Sequence, residues 1–133
     1  MIRPIKQAHY RMINHTPTVL SIAGSDPYGG AGIQADLKSI HALGGYALTC
    51  ITALTAQNSQ GVTNIVATVG DSLSDQLDAL LQDIQVDAVK IGMLTNAELI
   101  DVVADKIIQY RLKNIVLDTV LVSSSGHPLL KED

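Results

Sequence analysis

Short unbroken apolar runs alternate along this chain with longer stretches in which apolar residues return every three or four positions. Thr18-Val-Leu-Ser-Ile-Ala23 is the first run, and its composition favours extended backbone. It predicts a strand that ends at Gly24 and enters a glycine loop, Gly24-Ser-Asp-Pro-Tyr-Gly-Gly-Ala-Gly32. Beyond the loop, Ile33, Leu37, Ile40 and Gly44 recur at spacings of four, three and four, the period of a helix with one apolar face. Tyr46 to Thr55 predicts a second strand, and Val62 to Val69 a shorter, less regular third.

Ser72-Leu-Ser-Asp75 matches the capping-box pattern, and Leu73, Leu77, Leu80, Leu81 and Ile84 mark one face of the helix it would open. Asp87-Ala-Val-Lys-Ile-Gly92 is strand-like again. Thr95-Asn-Ala-Glu98 is a second capping box that predicts a helix to about Tyr110, and Asn114 to Leu121 is the last strand. Strands alternating with helices of this length predict an α/β fold, because parallel neighbours need long crossovers. The expected architecture is three layers, α/β/α, around a mostly parallel sheet. Ligands of such sheets sit at the carboxyl ends of the strands.

A length of 133 residues with 47% hydrophobic positions allows one core and one domain. Nine basic against thirteen acidic residues give a net charge of −4, which excludes a nucleic-acid partner bound through its phosphates. Without Trp or Phe the chain also lacks the stacking platforms of single-strand binders. Residues 1–17 carry Arg3, Lys6 and Arg11 and no acid. Lacking the Ser enrichment of a transit peptide, they read as a polar leader before a domain that spans 18–133. Ser39 to Gly70 holds no charged residue, but Gln57, Asn58, Gln60 and Asn64 interrupt it. Its apolar part, Tyr46 to Ala56, is too short to cross a bilayer, which needs about 20 residues, so no membrane partner is expected. Cys50 is the only cysteine; no intrachain disulfide can form, and a reducing, cytoplasmic location is expected.

The glycine loop fails two nucleotide-binding patterns. Asp26 and Gly29 occupy the places of the second and third glycines of G-x-G-x-x-G, and Gly30 stands where the Lys of a Walker A loop belongs. Asp26 would also repel a polyphosphate. What the glycines permit is close approach of a ligand or a second segment to backbone. Asp36 falls on the shoulder of the apolar helix stripe, near the sheet end; it is either a carboxylate favouring the helix N-terminus or a ligand contact. Gln57 closes the second strand as a loop-capping amide or as a group that donates and accepts at once. Met93 and Val120 end strands as core filler or as pocket wall. Asp26 reads as a turn residue before Pro27, and Lys90 has no assigned role. No His or Cys stands at metal-ligand spacing from His127, so no metal site is expected.

Four ordered blocks carry a resemblance. Ala23-Gly-Ser-Asp-Pro-Tyr-Gly-Gly-Ala-Gly-Ile-Gln-Ala-Asp-Leu-Lys38, Ile51-Thr-Ala-Leu-Thr-Ala-Gln-Asn58, Lys90-Ile-Gly-Met-Leu94 and Leu117-Asp-Thr-Val120 with Ser125-Gly126 resemble the hydroxymethylpyrimidine and phosphomethylpyrimidine kinases of thiamine biosynthesis. These belong to the ribokinase-like superfamily. Tyr28 departs from the small residue usual in the family. The resemblance implies ATP-dependent phosphorylation of 4-amino-5-hydroxymethyl-2-methylpyrimidine and its monophosphate. It assigns the pyrimidine pocket to Gly24, Asp36, Gln57, Met93 and Val120, with no catalytic residue in this chain. It further implies ATP and Mg2+ in the complete enzyme, none bound by this chain alone, and a homodimer. The family's Gly-Thr-Gly-Cys-type anion turn is not found here, so the chain is expected to be the N-terminal half of the fold, without turnover of its own and with exposed edges that self-associate. A non-catalytic pyrimidine-binding remnant and half of a pyridoxal-type kinase are the alternatives.

Overall fold

The computed structural model describes residues 15–119. Five strands and three helices follow one another as β1 (Thr18–Ser25), α1 (Gly32–Ala42), β2 (Tyr46–Asn58), β3 (Gly61–Ala67), α2 (Gly70–Leu81), β4 (Ala88–Ile91), α3 (Ala97–Tyr110) and β5 (Ile115–Leu117). The polar leader to residue 14, Val120, Ser123 to Ser125 and His127 lie outside the described residues.

The sheet runs in the order β3-β2-β1-β4-β5. β1 pairs in parallel with β2, Leu20 opposite Leu48, and with β4, Leu20 opposite Val89; β4 pairs in parallel with β5. β3 is antiparallel to β2, so the expected mostly parallel sheet carries one antiparallel edge hairpin.

Alternation along β1 decides the layers. Leu20 and Ile22 are buried with Leu48, Cys50, Val89 and Ile91 under Leu73 and Leu77 of α2 and Leu99 and Val103 of α3. Ser21, pointing the other way, meets Asp36 of α1. Helix α1 therefore covers one face of the sheet and the α2–α3 pair the other. Burying each of the large aliphatic side chains contributes about 2 kcal/mol, and this cluster holds the fold together. Leu37, expected on the buried stripe of α1, is 46% exposed. The face of α1 is narrower than its apolar period because it packs mainly on β1 and β2.

Both expected capping boxes are displaced. Helix α2 starts at Gly70, before Ser72, and Val69 at its N-cap supplies no side-chain acceptor. The Gly70 N–H instead donates to Glu98 Oε1 at 2.9 Å. Helix α3 is capped one residue later than the box predicts: Asn96 Oδ1 accepts the Leu99 N–H at 3.0 Å. Between the facing helices, Lys106 Nζ donates to both oxygens of Asp78 at 2.6 Å, and the Tyr110 hydroxyl donates to Asp78 Oδ1 at 2.7 Å. The strand expected from Asn114 to Leu121 is ordered as β5 over Ile115–Leu117, at the sheet edge, with all three residues exposed.

Candidate active site

β1 has β2 on one side and β4 on the other, while the crossover through α1 and the crossover through α2 pass over opposite faces of the sheet. At such a reversal the loops diverge and leave a crevice beyond the carboxyl ends of the strands. The first block of the resemblance starts there, at the end of β1, and the second and third finish there, at the ends of β2 and β4.

The glycine loop after β1 is filled by its own carboxylate. Asp26 is 3% exposed. Its Oδ1 accepts the Tyr28 N–H, and its Oδ2 accepts the N–H groups of Gly30 and Ala31, all at 2.9 Å. Gln34 ties the loop to the helix, accepting the Asp26 N–H and donating to Ser25 Oγ, both at 2.7 Å. Successive N–H groups at a helix start form an anion nest, and Asp26 is the anion. Satisfied in this way, the loop does not fit as a cradle for the phosphates of ATP. Gly32, at a φ of 56°, must be glycine, because a Cβ would run into the Gly24 carbonyl oxygen.

Gly24 and Met93 meet directly: a Cβ on Gly24 would lie 2.5 Å from Met93 Cε. Met93 is 8% exposed and packs with Ala53. Its carbonyl accepts the Thr52 hydroxyl at 2.6 Å, which fastens the loop after β4 to β2. Gln57 is half-buried. Thr55 Oγ1 donates to the Ser25 carbonyl at 2.9 Å and lies 3.3 Å from Gln57 Oε1, which sets the amide beside the end of β1. Asp36 is held by Ser21 Oγ at 2.6 Å and Lys90 Nζ at 3.0 Å. Gly24, Gln57 and Met93 thus share the ends of β1, β2 and β4. Asp36 stands lower on the α1 face, and no hydrogen bond among the described residues joins it to the others. Val120 lies outside the described residues.

Lys90, Thr52 and Thr55 are the members that sequence reasoning left unassigned. Hydroxyls and a lysine inside otherwise apolar strands were the available signal, since such groups need partners when buried. Away from the crevice, a cavity of about 550 Å³ lies at the opposite end of the sheet, between residues 81–87 and 110–114. A second, apolar cavity of about 270 Å³ adjoins β5 and α3. Neither contains Gly24, Asp36, Gln57 or Met93, but the second is bordered by Ile91, Gly92 and Leu94 at the end of β4. Among the described residues no group of three His, Cys, Asp or Glu could hold a metal ion, and no helix is long and apolar enough to cross a membrane.

This fold with its crevice is that of a ribokinase-like α/β kinase. A phosphomethylpyrimidine kinase from Clostridium difficile 630 superposes with a TM-score of 0.82 at 44% identity, over 88% of this chain and 51% of that one. The pyridoxal kinase of Bacillus subtilis, solved as an ADP complex, gives a TM-score of 0.73 at 38% identity, over 78% of this chain and 41% of its own. The hydroxymethylpyrimidine/phosphomethylpyrimidine kinase of Escherichia coli K12 is 49% identical over 111 residues, 84% of this chain and 42% of that protein. The model of the phosphomethylpyrimidine kinase family matches residues 26–133, and the chain belongs to that family. It spans less than half the length of its Escherichia coli relative.

Proposed function

We propose that this chain supplies the pyrimidine-holding part of an ATP-dependent kinase for 4-amino-5-hydroxymethyl-2-methylpyrimidine and its monophosphate in thiamine biosynthesis. The observation that carries the reading is where three of this chain's family-like blocks fall: at the ends of β1, β2 and β4, around one crevice. Gly24 admits Met93, and the Met93 thioether is the flat, polarisable wall for a heteroaromatic ring. Gln57 offers a donor and an acceptor to the ring's polar edge, and Asp36 an acceptor to its amino group. Val120 completes the pocket in this reading.

ATP supplies the transferred phosphoryl group, and Mg2+ its charge compensation. The glycine loop, whose N–H groups Asp26 already occupies, does not fit those phosphates; the chain's own part is to bind and orient the ring. The domain spans 18–133 in this reading, and the lone buried thiol supports a cytoplasmic setting. The exposed edge residues Ile115, Val116 and Leu117 support self-association, which light scattering tests: a clean monomer contradicts it.

Calorimetric titration of the chain with hydroxymethylpyrimidine and with pyridoxal tests the substrate class. Heat with the pyrimidine and none with pyridoxal is expected. Binding of pyridoxal in the absence of pyrimidine binding overturns the assignment.

A further inference from the structure

Lys90 lies in β4 between Val89 and Ile91, both buried beneath α2 and α3. Its own side chain takes the opposite face, where Ser21 is its register partner on β1. The ammonium leans along the strand toward the crevice, over Gly92. A Cβ on Gly92 would lie 2.9 Å from Ala23 Cβ and 2.9 Å from Lys90 Nζ, so the glycine leaves room for β1 and for the ammonium together. The side chains of Lys90 and Asp36 are 26% and 18% exposed.

The geometry at Asp36 is one-sided. Ser21 Oγ and Lys90 Nζ both donate to Oδ2, at 2.6 and 3.0 Å. Among the described residues no donor reaches Oδ1. A lysine that only needed neutralising would be served by either oxygen or by both, as Lys106 is by Asp78. Two donors from adjacent strands, converging on one oxygen, fix the rotation of the carboxylate and leave the other oxygen's lone pairs unspent.

We propose that Lys90 is a positioning residue: with Ser21 it locks Asp36 so that Oδ1 is left to accept the exocyclic amino N–H of the pyrimidine. This role rests on Asp36 being a pyrimidine contact. An ionised carboxylate only accepts, and one already oriented forms a charge-assisted bond without first being ordered. The trio therefore selects rings that present an N–H donor at that edge.

The test is calorimetric titration of the chain, Lys90→Met, Lys90→Arg and Ser21→Ala with 4-amino-5-hydroxymethyl-2-methylpyrimidine and with its analogue lacking the amino group. Lys90→Met is expected to weaken the amino ligand about tenfold, the scale of one charge-assisted bond, and to leave the analogue unchanged. Lys90→Arg, which keeps a cationic donor, is expected to lose less than Lys90→Met. Ser21→Ala is expected to show the same ligand selectivity, and it carries the test if Lys90→Met does not fold. Equal losses on both ligands, or no loss, overturn the role of Lys90 while the functional reading stands. Failure of the unmodified chain to bind the pyrimidine overturns the functional reading and this role with it.

Discussion

Glu98, in the first turn of α3, accepts the N–H of Gly70 at 2.9 Å across 28 positions of sequence, so one helix caps the start of another. A Cβ on Gly70 would run into that carboxylate, and α2 has no N-cap side chain of its own. Glu98→Ala is expected to lower stability by about 1 kcal/mol, the usual cost of losing a helix cap, and Glu98→Gln by less. Urea denaturation of the variants measures both.

Asp26→Ala empties the nest and leaves three N–H groups, those of Tyr28, Gly30 and Ala31, without their acceptor. A loss of about 2 kcal/mol is expected for backbone donors stranded in this way. Added phosphate or sulfate is expected to recover part of it by occupying the vacated nest. Thermal melts with and without the anion decide: recovery confined to the variant supports the nest, and equal shifts in both proteins contradict it.

Gly24→Ala forces Met93 off its present position and is expected to cost about 1 to 2 kcal/mol from overpacking. If the proposed function holds, pyrimidine affinity falls about tenfold as well, because Met93 is the ring wall in that reading. In a Met93→Ala background the same glycine change is expected to cost little stability. The difference is the coupling between the two residues, read from a double-mutant cycle.

Hydrogen bonds from Lys106 and Tyr110 hold the Asp78 carboxyl below its ordinary value of 3.8. A carboxyl whose pKa is lower in the folded than in the unfolded chain contributes stability at neutral pH. That contribution fades as pH falls below about 4. Asp78→Asn is expected to be less stable at pH 7, because Lys106 is left buried without its partner, yet to lose less stability than the parent on acidification. Melting temperatures across that range test the sign.

Burial pushes the Cys50 thiol up to about 12, so the folded protein holds almost no thiolate at pH 8. A disulfide reagent is expected to label Cys50 only as fast as the chain opens. Stability is expected to decline above about pH 9, where the unfolded thiol ionises and the folded one does not. Labelling that outpaces global unfolding in denaturant contradicts the first expectation.

All eight elements were legible in the periodicity, because each depends on residues a few positions apart. Leu73 and Leu77 announce α2 through their spacing, and both are completely buried. The start of α2 was misplaced for the opposite reason: the acceptor for Gly70 comes from Glu98, and no local pattern contains it. In the candidate site, Gly24, Gln57 and Met93 were placed by motif, and the structure brings them to one end of the sheet. The partnership of Lys90 with Asp36 needed the strand order. The two residues are 54 positions apart, and only the pairing of β1 with β4 puts them on the same face. Leu37 shows the limit of an apolar stripe, which reports what a helix can bury and not how much neighbour it has.

Nor does periodicity fix the order in which the sheet can close. β1 is the innermost strand, yet its partner β4 follows far along the chain, with Thr18 and Asp87 joined across 69 positions. During synthesis β1, α1 and the β2–β3 hairpin can associate as soon as they emerge, while the second edge of β1 waits for β4. Until then Leu20 and Ile22 lack the cover of α3, which follows β4 in the chain. Late long-range pairing of this kind slows folding and exposes an unpaired edge. The centre of the sheet is therefore, for the nascent chain, the surface left open longest, and the place where a chaperone would have most to do.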